Sequence, residues 1–442
     1  MEKYLELINN IPDIYFQDKN SDNYCFYNPP NLAAANIEDM VDNLSDIIKE
    51  YKKLQEMSIY INVPFCGSRC AYCNYFLHLY NNKSNDFLKN TLEEFNILNK
   101  EIDLSNKKIK SVYFGGGTPS AISLDYLNIF LSSINDILEK DEKCETTFEC
   151  CPEEGVKEKF NLLKRKGITR LSFGVETLDD KILKQLNRRH DSKMVEDVIN
   201  CAKNIFENIN IDIIYGLPNQ TVNEWINTVN KSIALETSGI TIYKLSTFGF
   251  GKSYRDKGSL MFNKHENNIN SLPYDKLTAM MYFEAREVLL KEGFIEPLVG
   301  FFVKPKINDI KVYKDRWSKA MPVYGLGLGA FSYGSFGYLG NTDEQKKYLD
   351  NIKNNELPIK KVKRFGSKES LLFRFLGRLK SGSTFQQKEI PNELSLFMDR
   401  TLESFLSLGF IKKENGDFSL TFLGRAFVDR IAFDVLRISK KI

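Results

Sequence analysis

No stretch of this 442-residue chain stays apolar over the ~20 residues that a membrane-spanning helix needs. The first residues, MEKYLELINN, are charged and lack the apolar core of a signal peptide. Charge of one sign is also missing. The 61 basic and 58 acidic side chains leave a net +3, too weak a field to hold nucleic acid or an anionic membrane. The basic run PIKKVKRFGSK near residue 360 reads as a solvated loop. A soluble cytoplasmic protein with no nucleic-acid partner and no membrane span is expected. Cysteine is sparse: eight in 442 residues is no disulfide framework. Cys25, Cys144, Cys150, Cys151 and Cys201 are scattered and read as reduced, mostly buried thiols. Cys66, Cys70 and Cys73 are the exception, crowded into YINVPFCGSRCAYCNYF.

Residues 1–57 form a polar lead-in. Short β-rich runs then recur at 58–65, 111–116, 146–151, 170–176, 209–216 and 240–246. Helix-period segments such as SLDYLNIFLSSINDILEK lie between them. Strands alternating with helices predict an α/β fold of parallel βαβ units. Six units in a row suit a barrel, closed or incomplete, better than a two-sided sheet. The rhythm breaks after residue 247, and a glycine-dense segment, YGLGLGAFSYGSFGYLGN, follows. The barrel with its extension is assigned to 58–345. Residues 346–442 turn helical, with a short hairpin before the last helix, and suggest a winged-helix-like unit that serves as a lid or packing domain.

The spacing of Cys66, Cys70 and Cys73 lets one tight loop aim three thiolates at a common centre. Four thiolates would suggest structural zinc or a closed cluster; three leave one iron of a cubane open. A chance cluster or a zinc site is the competing reading. The loop follows the β-run SIYINV, so it falls at the C-terminal end of a strand, where parallel α/β folds do their chemistry. Pro64 stops the strand. Phe65, Tyr72, Tyr75 and Phe76 are placed to shield such a cluster from water.

The Cys-x-x-x-Cys-x-x-Cys pattern after a strand, within YINVPFC…CAYCNYF, resembles the radical S-adenosylmethionine (SAM) superfamily. It is most similar to the branch of oxygen-independent coproporphyrinogen oxidase, heme chaperones, anaerobic heme-degrading enzymes and class C radical methyltransferases. Further motifs agree in order and spacing. The resemblance implies a partial (β/α)6 barrel with a C-terminal helical domain. It implies a 4Fe-4S cluster on Cys66, Cys70 and Cys73, and SAM as cofactor. In YFGGGTPS it puts Gly116, Gly117 and Thr118 against the methionine end of SAM. In TTFECCP it makes Glu149 a SAM-binding carboxylate. Arg188 matches the arginine that meets the SAM carboxylate, for which a guanidinium is suited. Asp212, interrupting the β-branched run INIDIIYG, matches another SAM ligand. Glu176 stands where the family has glutamine, a departure that binding of ribose hydroxyls tolerates. Tyr60 matches a tyrosine near the cluster–SAM unit. Gly325, Gly327, Gly329 and Ala330 match a glycine-rich closing segment near which some relatives bind a second SAM.

The same resemblance implies reductive cleavage of SAM to a 5′-deoxyadenosyl radical, with an electron donor such as flavodoxin or ferredoxin. Two departures count against the oxidase and against the chaperones, and FIEPLVGFFVK stands where a chaperone-type segment would continue. The oxidase's further cysteine is here Tyr75, and its histidine before Pro-Phe-Cys is here Asn62. Radical methyl or alkyl transfer to an sp2 carbon of a large conjugated substrate, such as a tetrapyrrole, is therefore expected, with Tyr75 facing the substrate or the second SAM. The alternatives are the oxidase and a non-catalytic heme chaperone. The latter would have few heme ligands to draw on, since His78, His190 and His265 are the chain's three histidines.

Overall fold

The computed structural model describes residues 2–12, 44–73, 78–81, 84–138, 140–245, 275–305 and 311–439. Six parallel strands run in chain order: β1 (Glu56–Val63), β4 (Lys108–Gly116), β5 (Lys140–Cys150), β6 (Arg170–Glu176), β7 (Asn208–Tyr215) and β8 (Gly239–Lys244). Two-residue strands β2 (Phe65–Cys66) and β3 (His78–Leu79) pair beside the cysteine loop. The predicted β-rich runs and these six strands coincide to within a few residues, except that β4 and β5 begin earlier. The α/β reading holds, with six βαβ strands side by side.

The chain's later strands extend this sheet at both edges. Beyond β8 lie β10 (Phe301–Val303) and β9 (Ile295–Leu298), both antiparallel. Beyond β1 lie β11 (Val323–Leu326), β12 (Phe331–Gly334), β13 (Gly337–Asn341) and β14 (Ile359–Arg364). β11 pairs parallel to β1; the others join antiparallel. The 12-stranded sheet ends at β14 and β9, which do not pair with each other, so the barrel is incomplete. The basic run near residue 360 is β14 itself rather than a loop. Its Val362 is buried, while lysines on an end strand discourage pairing with another chain.

Side-chain alternation explains why the strands read so clearly. Met57, Ile59, Ile61 and Val63 of β1 are buried, while Ser58, Tyr60 and Asn62 take the opposite face. In β7 Ile209, Ile211 and Ile213 alternate with Asn210 and Asp212. The apolar set meets helices. In Leu124–Ile137, for instance, Leu127, Phe130, Leu131 and Ile134 recur at helical spacing and are buried. The polar set lines the inner face, where Ser111 Oγ donates to Ser58 Oγ at 2.8 Å.

The C-terminal stretch is helical, with helices Ser367–Lys380, Ser395–Ser407 and Val428–Ser439 around the hairpin of β15 (Ile411–Glu414) and β16 (Asp417–Leu420). It is tied to the sheet through buried Glu296 on β9. That carboxylate accepts from Tyr282 Oη at 2.5 Å, Arg286 Nε at 2.7 Å, the Gly300 amide at 2.9 Å and Arg425 Nη1 at 3.2 Å.

Candidate active site

The three clustered cysteines follow β1, as their spacing predicts. Pro64 interrupts pairing, and Cys66 lies in the short strand that continues it. Cys66 is buried, and burial pushes its thiol up to about 12. Thr118 Oγ1 opposes that shift by donating to Cys66 Sγ at 3.2 Å. Cys70 and Cys73 are half-buried, and the Cys73 amide donates to the Cys70 carbonyl at 3.3 Å. Residues 74–77 lie outside the described residues, and Tyr75 with them.

The glycine segment after β4 lies directly against this loop. The Gly117 and Thr118 amides donate to the carbonyls of Val63 and Phe65 at 2.8 and 2.7 Å. Their backbone donors are thus spent on holding the segment to the cysteine strand. A Cβ at Gly117 would sit 2.5 Å from Phe65 O, so a side chain is excluded there.

Arg188 gathers the rest. Its Nη1 donates to Cys70 Sγ at 3.2 Å and to Tyr72 Oη at 3.4 Å. Its Nη2 donates to Cys151 Sγ at 3.3 Å and to the Gly174 carbonyl. Glu176 Oε1 lies 3.7 Å from Nη1, and both side chains are buried. Glu176 ends β6 with φ of 68°, a left-handed conformation rare for a side-chain-bearing residue and costly unless the surroundings impose it. Burial raises its pKa, and Arg188 pulls it back. Neighbouring His190 is held neutral, down to about 3, by burial and by Arg188.

Across the inner face, Glu149 of β5 accepts from Tyr113 Oη at 2.7 Å. Asp212 of β7 accepts from Ser172 Oγ at 3.1 Å and Asn210 Nδ2 at 2.9 Å. Burial lifts Glu149 to about 7; for Asp212, burial and then repulsion from Glu176 lift it to about 6. Tyr60 is half-buried and stacks on Tyr113, with ring centroids 5.8 Å apart.

Direct contacts at one end of the strands thus join Cys66 with Thr118, and Cys70, Tyr72 and Glu176 with Arg188. Tyr60, Glu149 and Asp212 line the adjoining inner face. Tyr113 and Cys151 are among the residues there to which the sequence reading gave no role in the site. Alternation in TTFECC would have found Cys151, since it falls two positions after Glu149.

An incomplete barrel of parallel strands with three thiols on the loop after its first strand defines a radical SAM protein. Residues 60–231 match the model of the Radical SAM superfamily. The heme chaperone HemW of Lactococcus lactis is 30% identical over 278 residues, covering 62% of this chain and 69% of that protein. HemW of Bacillus subtilis is 26% identical over 351 residues, covering 79% and 90%. Among solved structures, coproporphyrinogen III oxidase (HemN) from Escherichia coli superposes with a TM-score of 0.79 at 18% identity, over 91% of this chain and 95% of that one. The chain belongs to the radical SAM superfamily, in its HemW-like branch, and shares the fold of HemN.

That membership brings a 4Fe-4S cluster and SAM as cofactors. The residues present fit both. A cubane spreads its three thiolates over separate irons, and Cys66, Cys70 and Cys73 lie on one short stretch after β1. Donors from Thr118 and Arg188 already point at Cys66 and Cys70 sulfurs. Three carboxyl groups, the buried Glu176 and the half-buried Glu149 and Asp212, face the guanidinium groups of Arg188 and Arg170. That surplus of acid suits a ligand bearing a sulfonium and an ammonium. No helix among the described residues is long and apolar enough to cross a membrane.

Proposed function

We propose that this protein cleaves SAM reductively and uses the radical for methyl or alkyl transfer to an sp2 carbon of a large conjugated substrate such as a tetrapyrrole. In this reading Cys66, Cys70 and Cys73 hold the cluster. Gly116, Gly117 and Thr118 shape the methionine end of the SAM site. Glu149 accepts the ammonium, Arg188 meets the carboxylate, and Glu176 and Asp212 face the ribose and its surroundings. Tyr60 and Tyr72 flank the cofactors. When bound, the reduced cluster supplies the electron that splits the sulfonium. The chain's own part is to orient and to exclude water.

The observation that carries the reading is Arg188, buried beside Glu176 while donating to Cys70 Sγ at 3.2 Å. One guanidinium thereby couples the cysteine loop to the acidic inner face. A transfer reaction is favoured over oxidation because Tyr75 and Asn62 replace the oxidase's cysteine and histidine. Asn62 is moreover occupied structurally, its Nδ2 donating to the Leu328 carbonyl at 2.6 Å. A second reading, heme carriage without a further product, draws support from the names of the two HemW relatives.

Anaerobic incubation with methyl-deuterated SAM, a reductant and heme separates the two. Transfer yields a deuterium-bearing tetrapyrrole together with deuterated 5′-deoxyadenosine. Carriage yields heme bound in fixed ratio and no labelled tetrapyrrole.

A further inference from the structure

Tyr113 belongs to the glycine-rich segment, yet nothing in the motif demands a tyrosine there. On β4 it stands in register with Tyr60 of β1 and Thr147 of β5. Glu149 lies two residues beyond Thr147 and so shares its face. A side chain pointing straight across from position 113 would meet Thr147. The Tyr113 ring instead leans along its own strand over Gly115, and its hydroxyl donates to Glu149 Oε1 at 2.7 Å. Gly115 makes that lean possible. A Cβ there would fall 2.9 Å from Tyr113 Cε1 and 3.0 Å from both Glu149 Cδ and Oε1. On the other side the ring is held by Tyr60, stacked at an interplanar angle of 21°. Three neighbouring strands thus cooperate to aim one hydroxyl at one carboxylate.

We propose that Tyr113 is a positioning residue, whose hydroxyl holds the Glu149 carboxylate in place to receive the ammonium group of SAM. The inference rests on the assignment of Glu149 made above. Charge around Glu149 explains why a donor is needed. Burial and the nearby Asp212 of β7 favour its neutral form. Tyr113 of β4, the Gly116 amide and Arg170 of β6 oppose them, Tyr113 most strongly. Glu149 nonetheless titrates at about 7, so the hydroxyl acts where a change is visible near neutrality. Without it the carboxyl stays protonated to higher pH, and a protonated carboxyl is a poor partner for an ammonium.

The test is SAM affinity of the cluster-reconstituted protein, measured by anaerobic equilibrium dialysis from about pH 6 to about pH 8.5. Tyr113→Phe keeps the stacked ring and removes the donor. It should bind SAM roughly tenfold more weakly at neutral pH, with the midpoint of the pH dependence moved up by about one unit. Gly115→Ala keeps the hydroxyl but forces ring and carboxylate apart, and should shift the midpoint the same way. It decides the matter should the phenylalanine variant not fold. Glu149→Gln reports on the underlying assignment. If it loses affinity while Tyr113→Phe and Gly115→Ala keep the wild-type midpoint, Tyr113 has no positioning role and the assignment survives. If Glu149→Gln binds SAM as tightly as wild type across the range, the assignment falls and the role of Tyr113 falls with it.

Discussion

The Asn62 side chain fills the space that a side chain on Gly116 would need: a Cβ there would lie 1.8 Å from Asn62 Oδ1. Gly116 also has φ of 103°, so alanine is excluded twice, by contact and by backbone conformation. Gly116→Ala should cost at least about 1–3 kcal/mol from the backbone alone. Denaturant unfolding of the cluster-free protein would read this. Shortening Asn62 to Ala in the same chain should recover part of the loss, because the contact goes and the strain remains. Full recovery would mean that the backbone conformation costs nothing here.

Cys66, Cys70 and Cys73 should behave alike and Cys151 differently. Anaerobic reconstitution of the wild type should give about four irons per chain. Alanine at any of the three should abolish both the iron signal and SAM cleavage. Cys151→Ala should keep the iron, although its sulfur lies 3.3 Å from Arg188 Nη2. A normal iron count in Cys70→Ala would sink the assignment.

Arg188→Ala should weaken SAM binding at least tenfold, since removing one partner of a desolvated charged contact costs about 2–5 kcal/mol. It also strands Glu176, whose carboxylate lies 3.7 Å away. The variant should therefore unfold more easily at neutral pH than at mildly acid pH, where Glu176 takes up a proton. Asp212→Ala should weaken SAM binding without that stability loss. Unchanged affinity in both variants, by anaerobic titration, would falsify their placement around the cofactor.

Glu94 offers a pH test away from the strand ends. Its buried carboxylate accepts from the Gly327 amide at 2.8 Å, from Asn341 Nδ2 at 2.6 Å and from Tyr348 Oη at 2.6 Å. Burial lifts its pKa from 4.5 to about 7 despite those donors. The folded state therefore holds a proton that the unfolded chain releases. Stability is greatest below the unfolded pKa and is lost as pH rises through the folded one, by roughly 3 kcal/mol at most. Glu94→Gln cannot titrate, and its amide turns a donor toward Asn341, a fault costing about 1–3 kcal/mol. Between about pH 5 and about pH 8 the wild type should lose stability relative to the variant. A difference that stays constant with pH refutes the shifted carboxyl.

Much of this architecture could be read from the residues. Ile209, Ile211 and Ile213 alternating with Asn210 and Asp212 announce a strand with one apolar and one polar face, and β7 is that strand. The cysteine spacing marked the loop after β1. Cross-strand register was not readable. Nothing in the order of residues says that Tyr113 leans toward Glu149, because that depends on Gly115 being bare and on Tyr60 stacking behind. Nor could the KKVKR run be told from a loop. Its lysines are the mark of a solvated segment and equally of an end strand, and only pairing with β13 distinguishes the two. The surroundings of Arg188 were not readable: the resemblance offered it the carboxylate of SAM, and nothing in the order of residues said that Glu176 and two cysteine sulfurs would lie beside it.

The pairing of β1 with β11 has a temporal side. Asn62 and Leu328, which close that seam, lie 266 positions apart in the chain. Contacts so distant in sequence form slowly, because the closure entropy must be met before they contribute. During synthesis β4 reaches β1 early, but the other edge of β1 stays bare while the residues up to β11 are made. At ribosomal speed that takes on the order of tens of seconds. The strand that leads into the cysteine loop thus gains one edge partner early and waits roughly 200 residues of synthesis for the other, and its enclosure is among the later events of folding.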